Sequence, residues 1–136
     1  MASRVSAQGL ENTGKLLSGI AGTTHIQTMT IDNSTGAANA ITSAFTALNT
    51  AAAVGSFASS PTTNTTIGSQ TIRYEATFTT ATMNGTTLGR YILHHGATAA
   101  VTSASATVHG GIDQQSVLKT SEFGLILQLD EQFIST

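Results

Sequence analysis

Residues 70–80 read Gln-Thr-Ile-Arg-Tyr-Glu-Ala-Thr-Phe-Thr-Thr, and this stretch decides the fold class. Apolar and polar residues alternate along it, which is the pattern of a β-strand with one buried face. On the polar face, Arg73 and Glu75 lie close enough to predict an exposed ion pair of little energetic value. The predicted core face carries Ile72, Tyr74, Ala76 and Phe78.

The rest of the C-terminal half also reads as strands and turns. Asn84-Gly85 is a strong hairpin signal, and Leu88–His94 follows it as a strand that is apolar on both faces. The pattern therefore predicts a β-hairpin formed by 70–80 and 88–94. Further extended pieces are predicted at 99–109, which Gly110-Gly111 would break, at 115–119, and at 123–129, whose alternation predicts a terminal strand buried on one face.

The N-terminal half gives weaker signals. Residues 7–21 place apolar side chains at helical spacing before Gly22, and 25–31 is rich in β-forming residues. Residues 37–48 fit either a short helix or a loop, and 59–68 contain the one proline and read as an exposed loop. We predict an N-terminal helix or arm at 1–24 and a β-sandwich domain at 25–136, with a jelly-roll-like antiparallel architecture.

Composition points to assembly. Charged residues make up 9% of the chain and the net charge is −2, whereas ordinary soluble domains are near 25% charged. Ala, Thr, Ser and Gly supply just over half of the residues, and small flat surfaces of this kind pack closely without costly side-chain ordering. We therefore expect much of the surface to be covered by other copies of the chain or by partners, although a Thr-rich monomeric sandwich is the alternative.

Several function classes are disfavoured. The chain has no cysteine, which excludes disulfides and thiolate chemistry, and its five basic residues are scattered singly, which argues against nucleic-acid binding. The N-terminus lacks the pattern of a secretory signal, and no apolar run is long enough for a membrane span, so we expect synthesis in the cytoplasm. Few titratable residues are present, so we predict no enzyme and no cofactor.

The histidines are the most tempting chemical group. His94 and His95 are consecutive in a predicted strand, so their side chains point to opposite faces and should not chelate one metal ion. Either ring could instead pair across strands with His109. We interpret these histidines, without a metal, as an edge or interface cluster that could line a symmetry axis. The predicted interface set combines them with the apolar helix positions Leu10, Leu17 and Ile20.

Short motifs through most of the chain resemble those of small bacteriophage virion proteins, the head-decoration, neck and tail-appendage modules. The matching residues are Val5, Gly9, Leu10, Leu16, Leu17 and Gly19; Ala76-Thr77-Phe78; Asn84-Gly85-Thr86-Thr87-Leu88; and Lys119-Thr120-Ser121 with Leu125, Ile126, Leu127 and Leu129.

The resemblance implies a non-enzymatic jelly-roll-like protein present in many symmetric copies on a virus particle, with the trimer as one expected arrangement. Its expected function is that of a capsid decoration or cement protein binding neighbouring subunits of the major capsid protein. A neck or tail appendage base is the alternative, and a receptor- or carbohydrate-binding module is less favoured because tryptophan is absent and Tyr91 is the one candidate sugar platform.

Overall fold

The computed structural model describes residues 2–33, 53–57, 62–64, 69–96 and 107–134. Within them the chain is mainly β, with one short N-terminal helix. The elements are β1 (Ala2–Val5), α1 (Ala7–Leu17), β2 (Ile26–Asp32), β3 (Ala53–Phe57), β4 (Thr62–Asn64), β5 (Ser69–Phe78), β6 (Thr87–His95), β7 (Val108–Leu118) and β8 (Leu125–Ile134).

The strands form two antiparallel layers that share β3. The first layer, sheet A, has the order β1-β7-β6-β2-β3. In the second, sheet B, β3 and β4 pair with one side of β5 and β8 pairs with the other. The mainly β, antiparallel and sandwich-like architecture with a short N-terminal helix is thus confirmed.

The core lies between the two sheets. The alternation of β5 is confirmed, because Tyr74, Ala76 and Phe78 are buried and Ile72 packs against the same cluster. Strand β6 is buried along nearly its whole length, as its double apolar face predicts. The buried apolar cluster comprises Ile26, Met29, Ile31, Tyr74, Ala76, Phe78, Leu88, Tyr91, Leu93 and Leu129.

The predicted hairpin between 70–80 and 88–94 is wrong, because β5 and β6 belong to different sheets. Asn84-Gly85 does form a turn, with Gly85 at φ 74°. Buried Lys119 then holds this connection: its ammonium donates to Asn84 Oδ1 at 2.9 Å and to the Thr80 carbonyl at 3.1 Å, and its backbone bonds Gly85 and Thr86. The turn therefore crosses between the layers.

Three further predicted boundaries are wrong. Strand β7 continues through Gly110-Gly111, because these glycines lie opposite Val5 and Arg4, where β1 pairs closely. Residues 62–64, predicted as loop, form β4 against β5. Helix α1 ends at Leu17 rather than near Gly22. The predicted helix or loop at 37–48, most of the loop at 59–68 and the predicted strand at 99–106 lie outside the described residues.

The charged side chains of the sheets pair across strands. Arg73 pairs with Asp130 of β8, at 2.8 Å from Nε to Oδ1, rather than with Glu75 of its own strand. In sheet A, Arg90 and Asp32 are directly opposed and nearly completely buried, and the Arg90 guanidinium donates to both Asp32 oxygens. The buried Arg90–Asp32 pair occupies a position between β2 and β6 where an apolar contact would be usual.

Replacing the buried carboxylate of Asp32 should lower the free energy of unfolding far more than replacing the exposed carboxylate of Asp130. Asp32→Asn removes the carboxylate that the buried Arg90 guanidinium contacts at both oxygens, and we expect the free energy of unfolding to fall by about 3–5 kcal/mol. Asp130→Asn, the matched control at a surface pair, should change it little. Urea unfolding monitored by circular dichroism measures both, and equal losses would contradict a special role of the buried pair.

Candidate functional site

The N-terminal segment attaches to β7 of its own chain. Strand β1 pairs with β7, and Ser6 follows as the N-cap of α1, where its Oγ accepts from the Gly9 backbone N–H at 3.0 Å. Both the backbone N–H and the Oγ of Ser6 donate to the His109 carbonyl, at 2.9 and 3.2 Å. The predicted arm is therefore seated on this chain's own sheet, and its contact with a neighbouring subunit stays a prediction.

Helix α1 has its large apolar side chains on the outside. It approaches β7 through buried Gly9 and Asn12, and a Cβ on Gly9 would lie 1.8 Å from the His109 carbonyl oxygen. On the other side, Leu10 is 64% exposed, Leu17 84%, and Ile20 just beyond the helix 54%. An ordinary surface helix turns its apolar stripe toward the core. The predicted interface leucines and Ile20 thus form an outward apolar ridge.

His94 lies in a separate polar contact on sheet A. Its Nε2 is 2.7 Å from Thr30 Oγ1 and its Nδ1 is 3.1 Å from Thr107 Oγ1, and the ring is fully buried. Burial, helped by the charge of neighbouring His95, lowers the pKa of His94 from 6.5 to about 4. The ring is therefore neutral near pH 7 and works as a hydrogen-bond bridge.

His95 and His109 do pair across β6 and β7, and they form a hydrogen-bonded chain. His95 Nδ1 is 2.7 Å from the Thr24 carbonyl, and His95 Nε2 is 3.0 Å from His109 Nδ1. His109 Nε2 is then 2.9 Å from Glu131 Oε1 on β8. Burial lowers the pKa of His95. We call Thr24, His95, His109 and Glu131 the histidine chain; it ties sheet A to sheet B.

A cleft opens onto one end of the histidine chain. It lies between β7 and β8 and has a volume of about 240 Å³. His109 and Glu131 line it together with Gly110, Gly111 and mainly apolar neighbours. The Glu131 side chain is 17% exposed, so solvent reaches its carboxylate, whereas the His109 side chain is almost completely buried.

The rings of the buried histidines are held by contacts within the chain. Both ring nitrogens of His94, His95 and His109 already face hydrogen-bond partners within the chain. Among the described residues, no group of three or more histidine or acidic side chains is arranged to hold a metal ion.

The sequence indicated some members of the site and missed others. It left open whether His94 or His95 pairs with His109, and the structure selects His95. It also treated the rings as an edge or interface cluster, whereas all three histidines are buried within a single chain. It missed Glu131 altogether. A signal was present, because Glu131 continues the core-face alternation of Leu125, Leu127 and Leu129, and an acid on that face needs a buried partner.

Comparisons with protein-family models, with curated protein sequences and with solved structures found no match for this chain. Among the described residues, no helix is long and apolar enough to cross a membrane.

Two glycines of α1 provide a matched test of how the helix is seated. Gly9→Ala forces a methyl group into the His109 carbonyl, and we expect α1 to shift and stability to fall by about 1–3 kcal/mol. Gly14→Ala meets nothing within 4 Å and should stabilise the helix by about 1 kcal/mol. Hydrogen exchange of residues 7–17 with urea unfolding checks both, and a tolerated Gly9→Ala would refute the close contact.

The lowered pKa of His94 predicts loss of stability in acid. The unfolded chain binds a proton at this histidine near pH 6.5 and the folded chain only near pH 4, so the contribution of His94 to stability is fully present above about pH 6.5 and is lost as the pH drops toward 4. The contribution is at most about 3 kcal/mol. Urea unfolding of His94→Gln should show a shallower acid decline, whereas replacing exposed His25 with Gln should leave the decline in place.

Proposed function

We propose that this chain is a non-enzymatic structural subunit that docks onto neighbouring subunits through the outward apolar ridge of α1. The carrying observation is the inverted helix: Gly9 and Asn12 face the sheet, while Leu10 and Leu17 face outward. Exposed leucines cost free energy in water, and burial of each against a partner would recover about 1.5–3 kcal/mol. The partner that we propose for the ridge is, in the first place, a second copy of the same chain.

The low charge of the surface supports this proposal. Only 9% of the residues are charged, and cores of protein interfaces are depleted in charged residues. Further exposed apolar side chains, including Ile126 and Phe133, lie on β8. A chain with several such positions gains from contacts on more than one side, as a subunit of a symmetric assembly does.

The virion is the setting we propose for that assembly. The resemblance of the sequence motifs to small bacteriophage virion proteins favours a capsid decoration or cement protein that binds neighbouring capsid subunits. A neck or tail appendage base is the alternative within the same class, and copy number per purified particle separates the two. The full engagement of the histidine nitrogens in internal hydrogen bonds supports a non-enzymatic function.

Changing the ridge to polar residues should dissociate the assembly without unfolding the chain. We expect the double variant Leu10→Gln with Leu17→Gln to weaken self-association by at least about 100-fold, because burial of two leucines contributes roughly 3 kcal/mol or more. Point changes are preferable to removing residues 1–24, because β1 and Ser6 are bonded to β7. Sedimentation equilibrium gives the association constant.

Ile126→Gln is the matched control, since Ile126 is 67% exposed but lies on β8 of the other sheet. It should leave an α1-mediated oligomer intact. A wild-type chain that stays monomeric at high concentration would contradict self-assembly. Binding to capsids in a pull-down with purified particles, lost in the double leucine variant and kept in Ile126→Gln, tests the decoration function itself.

A further inference from the structure

The histidine chain contains more hydrogen bonds than its neutral rings can supply. It has three contacts between heavy atoms at hydrogen-bond distance: Thr24 carbonyl to His95, His95 to His109, and His109 to Glu131. Each contact needs one hydrogen. A carbonyl and a carboxylate have none to give, and two neutral imidazoles bring one N–H each. Three contacts with two hydrogens leave one pair of acceptors facing each other.

We infer that the folded chain binds one additional proton in the histidine chain, and that this proton controls how firmly the docking helix α1 is seated. With the proton present, all three contacts are hydrogen bonds. Without it, two lone pairs oppose each other in a buried place, which costs the desolvation of both groups. The inference that α1 is the controlled element has meaning for assembly only if the proposed function holds.

The proton belongs at the Glu131 end. Burial lowers the pKa of His95, so its ring is neutral; it donates from Nδ1 to the Thr24 carbonyl and accepts from His109 Nδ1 at Nε2. His109 then either donates from Nε2 to the Glu131 carboxylate or accepts from a protonated Glu131. Both arrangements contain the same number of protons. The cleft beside Glu131 gives this end its route to solvent.

The neighbours of the pair do not replace this proton. On β5, the Tyr74 hydroxyl bonds to Glu131. On β8, Asp130 is directed to Arg73. Among the described residues, His25 and His94 are the further titratable groups that act on His95 or lie beside it. Helix α1 presents Gly9 and Asn12 to the sheet, and these do not titrate.

His109 connects the proton to the helix. Its carbonyl accepts both hydrogen bonds from Ser6, the N-cap of α1, and lies directly against Gly9. A shift of the His109 ring away from Glu131 moves the same residue whose backbone anchors the helix. Loss of the proton should therefore loosen α1 and β1 before the rest of sheet A.

The pH dependence of unfolding measures the proton directly. Between pH 7 and 9, free histidines and carboxyls of an unfolded chain have already lost their protons, so a folded chain that still holds one becomes less stable as the pH rises. We expect the unfolding constant of the wild-type protein to rise by up to tenfold per pH unit in this range. Urea unfolding at half-unit steps of pH gives the slope.

Glu131→Gln is the decisive variant, because its amide N–H can donate to His109 Nε2 and supply the third hydrogen without an added proton. Its slope between pH 7 and 9 should be flat relative to wild type. Asp130→Asn, one residue earlier and outside the histidine chain, should keep the wild-type slope. Equal slopes in wild type and Glu131→Gln would overturn the inference.

Two readouts on the wild-type protein make the test independent of how well the variant folds. Imidazole nitrogen NMR at pH 8 should find an exchange-protected hydrogen in each contact of the histidine chain; a contact with none would overturn the inference. Hydrogen exchange should show residues 7–17 losing protection from pH 7 to 9 beyond the chemical rate, in wild type but not in Glu131→Gln. Unchanged protection would overturn the control of α1.

These readouts concern single chains, so they are kept separate from assembly. They are made at a concentration below self-association, whereas the leucine substitutions are tested by sedimentation at pH 6.5. Failure of the leucine test with a sloped pH profile would refute docking through α1 and leave the bound proton standing. If the oligomer dissociates in the leucine variant but the stability of the wild-type chain does not change between pH 7 and 9, the bound proton is refuted and docking through α1 is not.

Discussion

The position of His109 is the constraint on which the other described parts depend. Its backbone carries the N-cap of α1, its strand pairs with both β1 and β6, and its ring reaches β8 through Glu131. A chain with only 5% aromatic residues has few large apolar side chains for a core. Buried polar contacts of defined geometry therefore help to hold sheet A against sheet B. They stabilise the fold only when every donor and acceptor has a partner.

The sequence predicts the elements whose pattern is local and misses the pairings that are not. Alternation along β5 and β8 and the apolar run of β6 are properties of consecutive residues, and these strands and the buried face of β5 followed from them. The turn that follows β5 does not return the chain to β5, because Lys119 bonds to Asn84 and Thr86 in this turn and lies 33 or more residues further along the chain. The site divides in the same way: His95 and His109 could be placed on neighbouring strands, whereas Glu131 required knowing which sheet β8 joins.

The close contact between α1 and the His109 carbonyl also explains why the helix is inverted. Only a residue without a side chain fits against the His109 carbonyl, so the face of α1 that meets β7 is set by Gly9, and the helical spacing then turns Leu10 and Leu17 outward. Apolar periodicity in the sequence thus predicts a helix correctly but gives no direction for its burial. In this protein the apolar stripe and the intramolecular contact face are different faces, which is the arrangement that the proposed docking through α1 requires.

The two buried histidine contacts respond to pH in opposite directions. His94 is held between two hydroxyls, which can each donate or accept, so its neutral ring is fully satisfied and acid is what disrupts it. The histidine chain ends in a carbonyl and a carboxylate, which only accept, so removal of a proton is what disrupts it. The difference comes from the end groups and not from the imidazoles. Together the two contacts confine the most stable form of the fold to a band of pH that is bounded on the acid side by His94 and on the alkaline side by the histidine chain.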